Sequence, residues 1–297
     1  MSEKWIKNEH YVPHFLIDFF KGEKGIYYLN KERLNIGKCS TKNACTKEDT
    51  YEVKRNLGND KFYFLRNDIE IALSARESDY SHLCRKIIAI CDNPNNLSVP
   101  ILHTDEKELL AEFVLNLHFR HPKRLLNYKS VLRDKLGDDE GFLKNVECFT
   151  KGCPDDIVAE IFSGASEYGL MCGIVLPLEN EKGFLNYYKS SLLSNGSFCI
   201  LKSTNDNFII SDNAASVSKD GFIFIPISPR YVIAVSLDNY YRKNKHHNRV
   251  RFVKADAELK MILRMYQESD KYIYGRKATL EKIKNIVLKN EINELSK

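Results

Sequence analysis

Phe198-Cys199-Ile200-Leu201, Phe208-Ile209-Ile210-Ser211-Asp212, Phe222-Ile223-Phe224-Ile225-Pro226-Ile227 and Tyr231-Val232-Ile233-Ala234-Val235 crowd into one short region of the chain. Short β-branched and aromatic runs separated by turn residues are strand signals. The polar stretch Ser203-Thr204-Asn205-Asp206-Asn207 between the first two makes them read as a hairpin, and the four runs together as a small antiparallel sheet over 197–236. Arg249 to Val253 is a candidate further strand. Upstream, the apolar spacing is helical. Residues 67–92 carry Ile69, Leu73, Leu83, Ile87 and Ile90 and stop at Asp92-Asn93-Pro94. A second helix opens at Thr104 or Asp105, with Asp105 and Glu108 at capping-box spacing, and runs to Pro122. Downstream, two more helices are expected at about 255–268 and 277–290. Helices, a sheet and helices again predict an α+β fold with a mostly helical body and C-terminal helices, and exclude a doubly wound one.

The remaining elements are less regular. Pro13 suits the first turn of a helix that places Phe15, Leu16, Phe19 and Phe20 on one face. Ile26 to Asn30 turns toward Leu34-Asn35-Ile36 as a hairpin. Residues 38–60 read as a long loop, and Pro122 starts a helix through Leu125, Tyr128, Val131 and Leu136. Residues 138–195 read as helical pieces broken at Gly152-Cys153-Pro154, Gly164, Gly169, Gly173 and Pro177.

The chain has 297 residues, 43% hydrophobic and 29% charged, enough apolar content to bury a core. It has no run of roughly 18 apolar residues and no apolar h-region after Met1. The eight cysteines lack paired CxxC spacing, so ordinary thiols, a cytoplasmic address and no membrane are expected. The net charge of +5 is uneven. From Asp238 onward 15 Lys+Arg face 8 Asp+Glu, a balance of +7, which leaves −2 for residues 1–237. That contrast suggests a body over 1–237 and a basic C-terminal segment over 238–297, packed on the same domain. The densest part, Tyr240 to Arg251, holds five Lys/Arg, two His and two Tyr without an acid. Clustered cations beside stackable rings suit a nucleic-acid backbone and its bases. Tyr241, Arg242, Lys243, Lys245, Arg249 and Arg251 are therefore candidate RNA or DNA contacts, against the alternative of a solvated loop.

The chain also resembles a widespread microbial family known as domain of unknown function 4238. The resemblance rests on His10-Tyr11-Val12-Pro13 with Phe15, Leu16 and Phe19, and on Ile69-Glu70 with Leu73-Ser74 and Glu77. It continues through Phe113 to Arg120 with Pro122, Ile210-Ser211-Asp212-Asn213, and Pro226-Ile227-Ser228-Pro229. Ala214 stands where relatives commonly carry a proline after the Ser-Asp pair, and Asn116-Leu117-His118 where a glutamine often precedes the Arg-x-Pro element. The resemblance implies a fold unit and motif positions, not a reaction.

Read for chemistry, His10 stands near a helix N-terminus, and Glu70 and Glu77 lie on one helix face about 10 Å apart along the axis. Glu112, Asn116 and Arg120 form a polar line in which Arg120 either clamps a phosphate or pairs with Glu77. His118 and His121, at i and i+3, are a candidate metal pair without a third ligand in sequence, and Cys148 and Cys153 share that weakness. Asp212 ends a strand, where it could orient His10 or bind a metal, against the plainer reading of an Asx turn. P-loop, Rossmann, HExxH, GxSxG and zinc-finger spacings are absent. The expectation is that His10, Glu70, Glu77, Arg120 and Asp212 converge as a catalytic set for phosphodiester cleavage, with Mg²⁺ as the candidate cofactor and a nuclease-like effector role in phage defence or toxin activity. The alternative is a non-enzymatic module that binds nucleic acid or protein, with Glu77 and Arg120 a structural ion pair.

Overall fold

A computed structural model of the chain describes residues 8–22, 25–57, 60–93, 100–128, 155–176, 184–218 and 221–289. The fold is α+β. Strands β1 (Asn8–His10), β2 (Ile26–Asn30), β3 (Asn35–Cys39), β4 (Thr46–Glu48), β5 (Val53–Leu57) and β6 (Asp60–Phe64) accompany the short helix α1 (His14–Asp18). The long helices α2 (Asp68–Asp92), α3 (Thr104–Phe119), α4 (Asp155–Val175) and α5 (Phe184–Asn195) follow. Strands β7 (Ser197–Lys202), β8 (Ile210–Ser211), β9 (Ser216–Val217), β10 (Phe222–Pro226) and β11 (Tyr231–Ser236) come next. A single turn α6 (Tyr240–Lys243), β12 (Val250–Phe252), α7 (Ala255–Glu268), β13 (Tyr272–Gly275) and α8 (Lys277–Leu288) complete the order.

The central sheet runs β12-β7-β11-β10-β9. Alternation along β7 and β11 explains why these strands read as unbroken apolar runs, as strands covered on both faces do. Phe198, Ile200, Ile233 and Val235 face a core shared with α2 and α3, whereas Cys199, Leu201, Val232 and Ala234 face one shared with α7 and α8. The sheet is mixed, because β12 pairs with β7 in parallel.

The expected hairpin between Phe198–Leu201 and Phe208–Asp212 does not form. β8 leaves the central sheet and joins a second one, ordered β3-β2-β13-β8. β13 lies between β2 and β8 with both neighbours antiparallel, so Leu29 and Ile273 are buried on one face of this sheet and Ile210 and Tyr274 on the other, through partners more than 60 residues distant in sequence. The β2–β3 hairpin is as expected. The predicted loop over 38–60 instead contains β4, paired with β1, and β5, paired with β6. Val53-Lys54-Arg55-Asn56-Leu57 has weak strand propensity on its own, and its order comes from pairing and from Arg55, whose guanidinium donates to Ser163 Oγ at 3.0 Å and to Glu167 at 2.7 Å on α4.

α3 opens at Thr104, as expected, but its capping box lies two residues before the expected one. His103 is the N-cap, and its backbone N–H donates to Glu106 Oε2 at 2.9 Å. α4 passes through Gly164, Gly169 and Gly173 without a break, since a glycine costs about 1 kcal/mol in a helix and burial of Met171, Ile174 and Val175 offsets it. The helix expected from Pro122 is described over 122–128. Val131, Leu136, Cys148, Cys153 and the expected break at residue 152 lie outside the described residues, as does Pro177. Among the described residues no helix is long and apolar enough to cross a membrane.

Candidate functional site

The polar line on α3 is a seam between helices. Glu112, which is buried, accepts a fork from Arg76, with Nε at 2.8 Å and Nη2 at 2.9 Å, and a bond from Tyr80 Oη at 2.7 Å. Asn116 donates to the Val175 carbonyl at 2.7 Å. Lys86 pairs with Glu106. The pairing of 86 with 106 and of 77 with 120 shows that α2 and α3 run antiparallel, which brings the family-like motifs of the two helices face to face.

At the C-cap of α3 stands Arg120, fully buried at 0% exposure. Its Nη1 donates to Glu77 Oε1 at 2.8 Å, its Nε to Tyr51 Oη at 3.0 Å and its Nη2 to the His10 carbonyl oxygen. Tyr51 Oη in turn donates to the same carbonyl at 3.3 Å. One guanidinium therefore clasps β1, the segment before β5, α2 and α3. Burial alone would lower its pKa, but Tyr51, Glu77 and Glu70 around it more than offset this and hold it firmly charged.

Carboxyls crowd this clasp. Glu9 is 0% exposed; its Oε2 accepts the Tyr51 N–H at 2.7 Å while Oε1 has no partner. Burial pushes its pKa up to about 8 against the Tyr51 hydrogen bond, with Glu70, Glu52 and Asp49 adding in the same direction. Glu70 is pushed up to about 7 by burial, opposed by Arg120 and helped by Glu77, and its Oε2 is also unpartnered. His10 is driven down to about 4 by burial and then by His14 and Arg120, so its ring is neutral at physiological pH.

Of the expected catalytic set, the structure brings His10, Glu70, Glu77 and Arg120 together. Asp212 is committed elsewhere: its Oδ1 accepts the Asp270 N–H at 2.8 Å, and its Oδ2 those of Lys271 and Tyr272 at 2.7 and 2.8 Å. The carboxylate thereby starts β13 in the middle of the second sheet. Asp212→Ala strands three backbone donors, and a loss of about 3 kcal/mol is expected. Urea denaturation, together with faster amide exchange at residues 270–272, measures it. His118 and His121 diverge, His118 Nδ1 lying 2.8 Å from Arg124 Nη1 and His121 Nε2 3.5 Å from Asp270. Among the described residues no cluster of three His, Cys, Asp or Glu side chains could hold a metal ion.

Three contributors carry no sequence motif. Tyr51 and Glu9 lie in polar, charged stretches that read as surface loop and lead, although Glu9 directly precedes the family-like His10. Asn248, buried within the basic stretch, accepts the Ile101 and Leu102 N–H groups at 3.2 and 2.9 Å and donates to the Leu102 carbonyl at 2.8 Å. A left-handed φ of 58° at Asn248 is the one local hint.

That anchor fixes the basic stretch beside the start of α3. Lys107 to Arg120 spans about 20 Å along a helix, so the cations sit at the opposite end of α3 from the clasp. Arg242, Lys243, Lys245, Arg249 and Arg251 are exposed. Tyr241 is turned into the core at 4% exposure, and the exposed rings are instead Tyr240 at 41% and Phe252 at 54%. No curated protein and no solved structure matches the chain. The model of a family described as "Protein of unknown function (DUF4238)" matches residues 8–279. That span includes the clasp, the Asp212 cap and the basic stretch, and by it the chain belongs to the DUF4238 family.

Proposed function

We propose that this chain is a nucleic-acid-binding protein whose contact surface is the edge formed by α6 and β12. One observation carries the reading: among the described residues Lys243, Lys245, Arg249 and Arg251 are exposed and none is in an ion pair. Asp238 is the acid that senses Lys243. A solvated loop would leave such cations mobile, but here they are held by β12 in the sheet and by Asn248 on residues 101–102. Tyr240 and Phe252 flank them as rings on which bases stack.

Fluorescence polarisation with labelled RNA and DNA oligonucleotides tests this. Affinity is expected to fall with salt at a log–log slope of roughly −3.5 for single strands to −4.5 for duplex, for about five phosphate contacts. Changing Lys243, Lys245, Arg249 and Arg251 together to Gln should flatten that slope and weaken binding at least tenfold. Salt-independent binding, or binding indifferent to the four substitutions, sinks the proposal.

Phosphodiester cleavage is the second reading, favoured by Glu70. A carboxyl shifted to about 7 with a free oxygen populates acid and base forms at neutral pH. Arg120 would then act as a positioning residue for Glu77, since its buried guanidinium offers a phosphate no surface. Cleavage of the same oligonucleotides that is lost in a folded Glu70→Gln variant supports this reading; intact substrate with and without Mg²⁺ or EDTA removes it.

A further inference from the structure

A cavity of about 440 Å³ opens between the N-terminal half of α3, the end of α5 and strands β7 and β11. Its walls are apolar: Leu110, Ala111 and Val114 from α3, Leu192 from α5, Phe198 from β7 and Val235 from β11, all buried. The tight exit from α5 into β7 depends on Gly196, where a Cβ would lie 2.4 Å from a Leu192 methyl carbon and 2.5 Å from the Leu192 carbonyl oxygen. The rim has a different character. Lys107, Arg242 and His247 line it, with Glu108 the single acid.

The rim groups are arranged rather than scattered. His247 Nδ1 accepts the Phe198 N–H at 3.3 Å, which fixes the tautomer and leaves Nε2–H as a donor. Arg242 spends one bond on the Leu193 carbonyl at 3.2 Å and keeps the rest of its fork. Burial, Arg242 and Lys107 together drive the His247 pKa down to about 4, so the ring is a neutral donor between two cations. With Lys107 and Arg242 positive and Glu108 negative, the rim has a net charge of +1 and matches one negative charge. The first turn of α3 adds its dipole in the same sense.

An apolar chamber of this size, closed by a rim that suits a monoanion, selects an aliphatic tail with a single charged end. We propose that this cavity binds a medium-chain fatty acid, its alkyl chain against Leu110, Val114, Leu192 and Phe198 and its carboxylate held by Arg242, Lys107 and His247 Nε2–H. The site goes beyond the nucleic-acid reading and shares only Arg242 with it. Occupancy would couple to nucleic-acid binding through that residue alone.

Titration calorimetry of the full chain with octanoate, decanoate and dodecanoate, below their micelle concentrations, tests the proposal. Each added methylene is expected to tighten binding about fourfold until the cavity is full. Arg242→Gln and Lys107→Gln, both at the rim, should each weaken decanoate at least fivefold while leaving decanol unchanged. Ala111→Phe should abolish binding of acid and alcohol alike, with circular dichroism confirming the fold. Absence of binding by all three acids, equal affinity for decanoate and decanol, or a tenfold preference for dodecyl phosphate over dodecanoate would each overturn it. The variants Lys243→Gln and Lys245→Gln, which bear only on the nucleic-acid face, should leave decanoate affinity intact; a loss there equal to that of Arg242→Gln would reduce the effect to general surface charge and also overturn it.

Discussion

Arg120→Ala is expected to lower the folding free energy by about 3–5 kcal/mol, the range for removing one partner of a buried charge network. All three nitrogens of this guanidinium donate. Its loss leaves Glu77 and Tyr51 Oη without their cationic partner and the His10 carbonyl with Tyr51 Oη alone, and removes the cation that opposes the upward shift of Glu70. Arg120→Lys should recover less than half, because an ammonium cannot reach Nε, Nη1 and Nη2 partners on three segments at once. Glu77→Gln should cost less, about 1–2 kcal/mol, since the amide oxygen can still accept from Nη1. Urea denaturation of the three variants orders them. A loss under about 1 kcal/mol for Arg120→Ala would mean the clasp is ornamental and would return Arg120 to the list of groups free to meet a ligand.

The stability of the chain should pass through a maximum near pH 6.5. Four histidines, His10, His118, His121 and His247, have folded pKa values pressed by burial from 6.5 down to about 4, 3, 4 and 4. A depressed histidine contributes stability that is present above its unfolded pKa and lost as pH falls toward the folded one. Glu9 and Glu70 act with the opposite sign, because burial raises them from 4.5 to about 8 and 7. Their contribution is present below pH 4.5 and is lost as pH rises through the folded values. Between pH 6.5 and 4.5 the histidines outnumber the carboxyls, and with half-buried His247 discounted for solvent screening a net loss of about 3 kcal/mol is expected. Between pH 6.5 and 8 the carboxyls lose about 2 kcal/mol, of which the histidines, half-protonated in the unfolded chain at pH 6.5, return about 1, for a net loss of about 1 kcal/mol. Denaturation midpoints at pH 4.5, 6.5 and 8 map the curve. Glu9→Gln should flatten the alkaline limb and steepen the acid limb, where Glu9 opposes the histidines; an unchanged alkaline limb would rule out Glu9 as its source.

Much of the helical framework was legible in advance. α2, α3, α7 and α8 lie where their apolar spacing predicts them, because an amphipathic helix closes its own hydrogen bonds and only needs a core to lie against. The motif positions were legible too, and the antiparallel pairing of α2 and α3 explains why Glu77 and Arg120, 43 residues apart, meet. The β-structure was less so. Phe208 to Asp212 has the composition of a hairpin partner for Phe198–Leu201, yet strand composition does not name its neighbour, and β13 with its Asp212 cap competes successfully for it. Likewise Tyr51 sat in a stretch that read as loop, although its hydroxyl completes the clasp.

The uneven charge was a property of the sequence alone, and so were the α+β class and the family-like motifs, since these depend on local pattern and order. What only the tertiary structure decided is where those pieces meet. Backbone pairing sent residues 250–252 to the central sheet and residues 272–275 to the other, so the basic stretch became a fixed edge instead of a tail. Burial decided the rest: it turned Arg120 from a candidate phosphate clamp into a clasp, moved Glu9 and Glu70 toward neutrality, and hid Tyr241 while exposing Tyr240. These outcomes depend on desolvation and on partners distant in the chain, which no local spacing encodes.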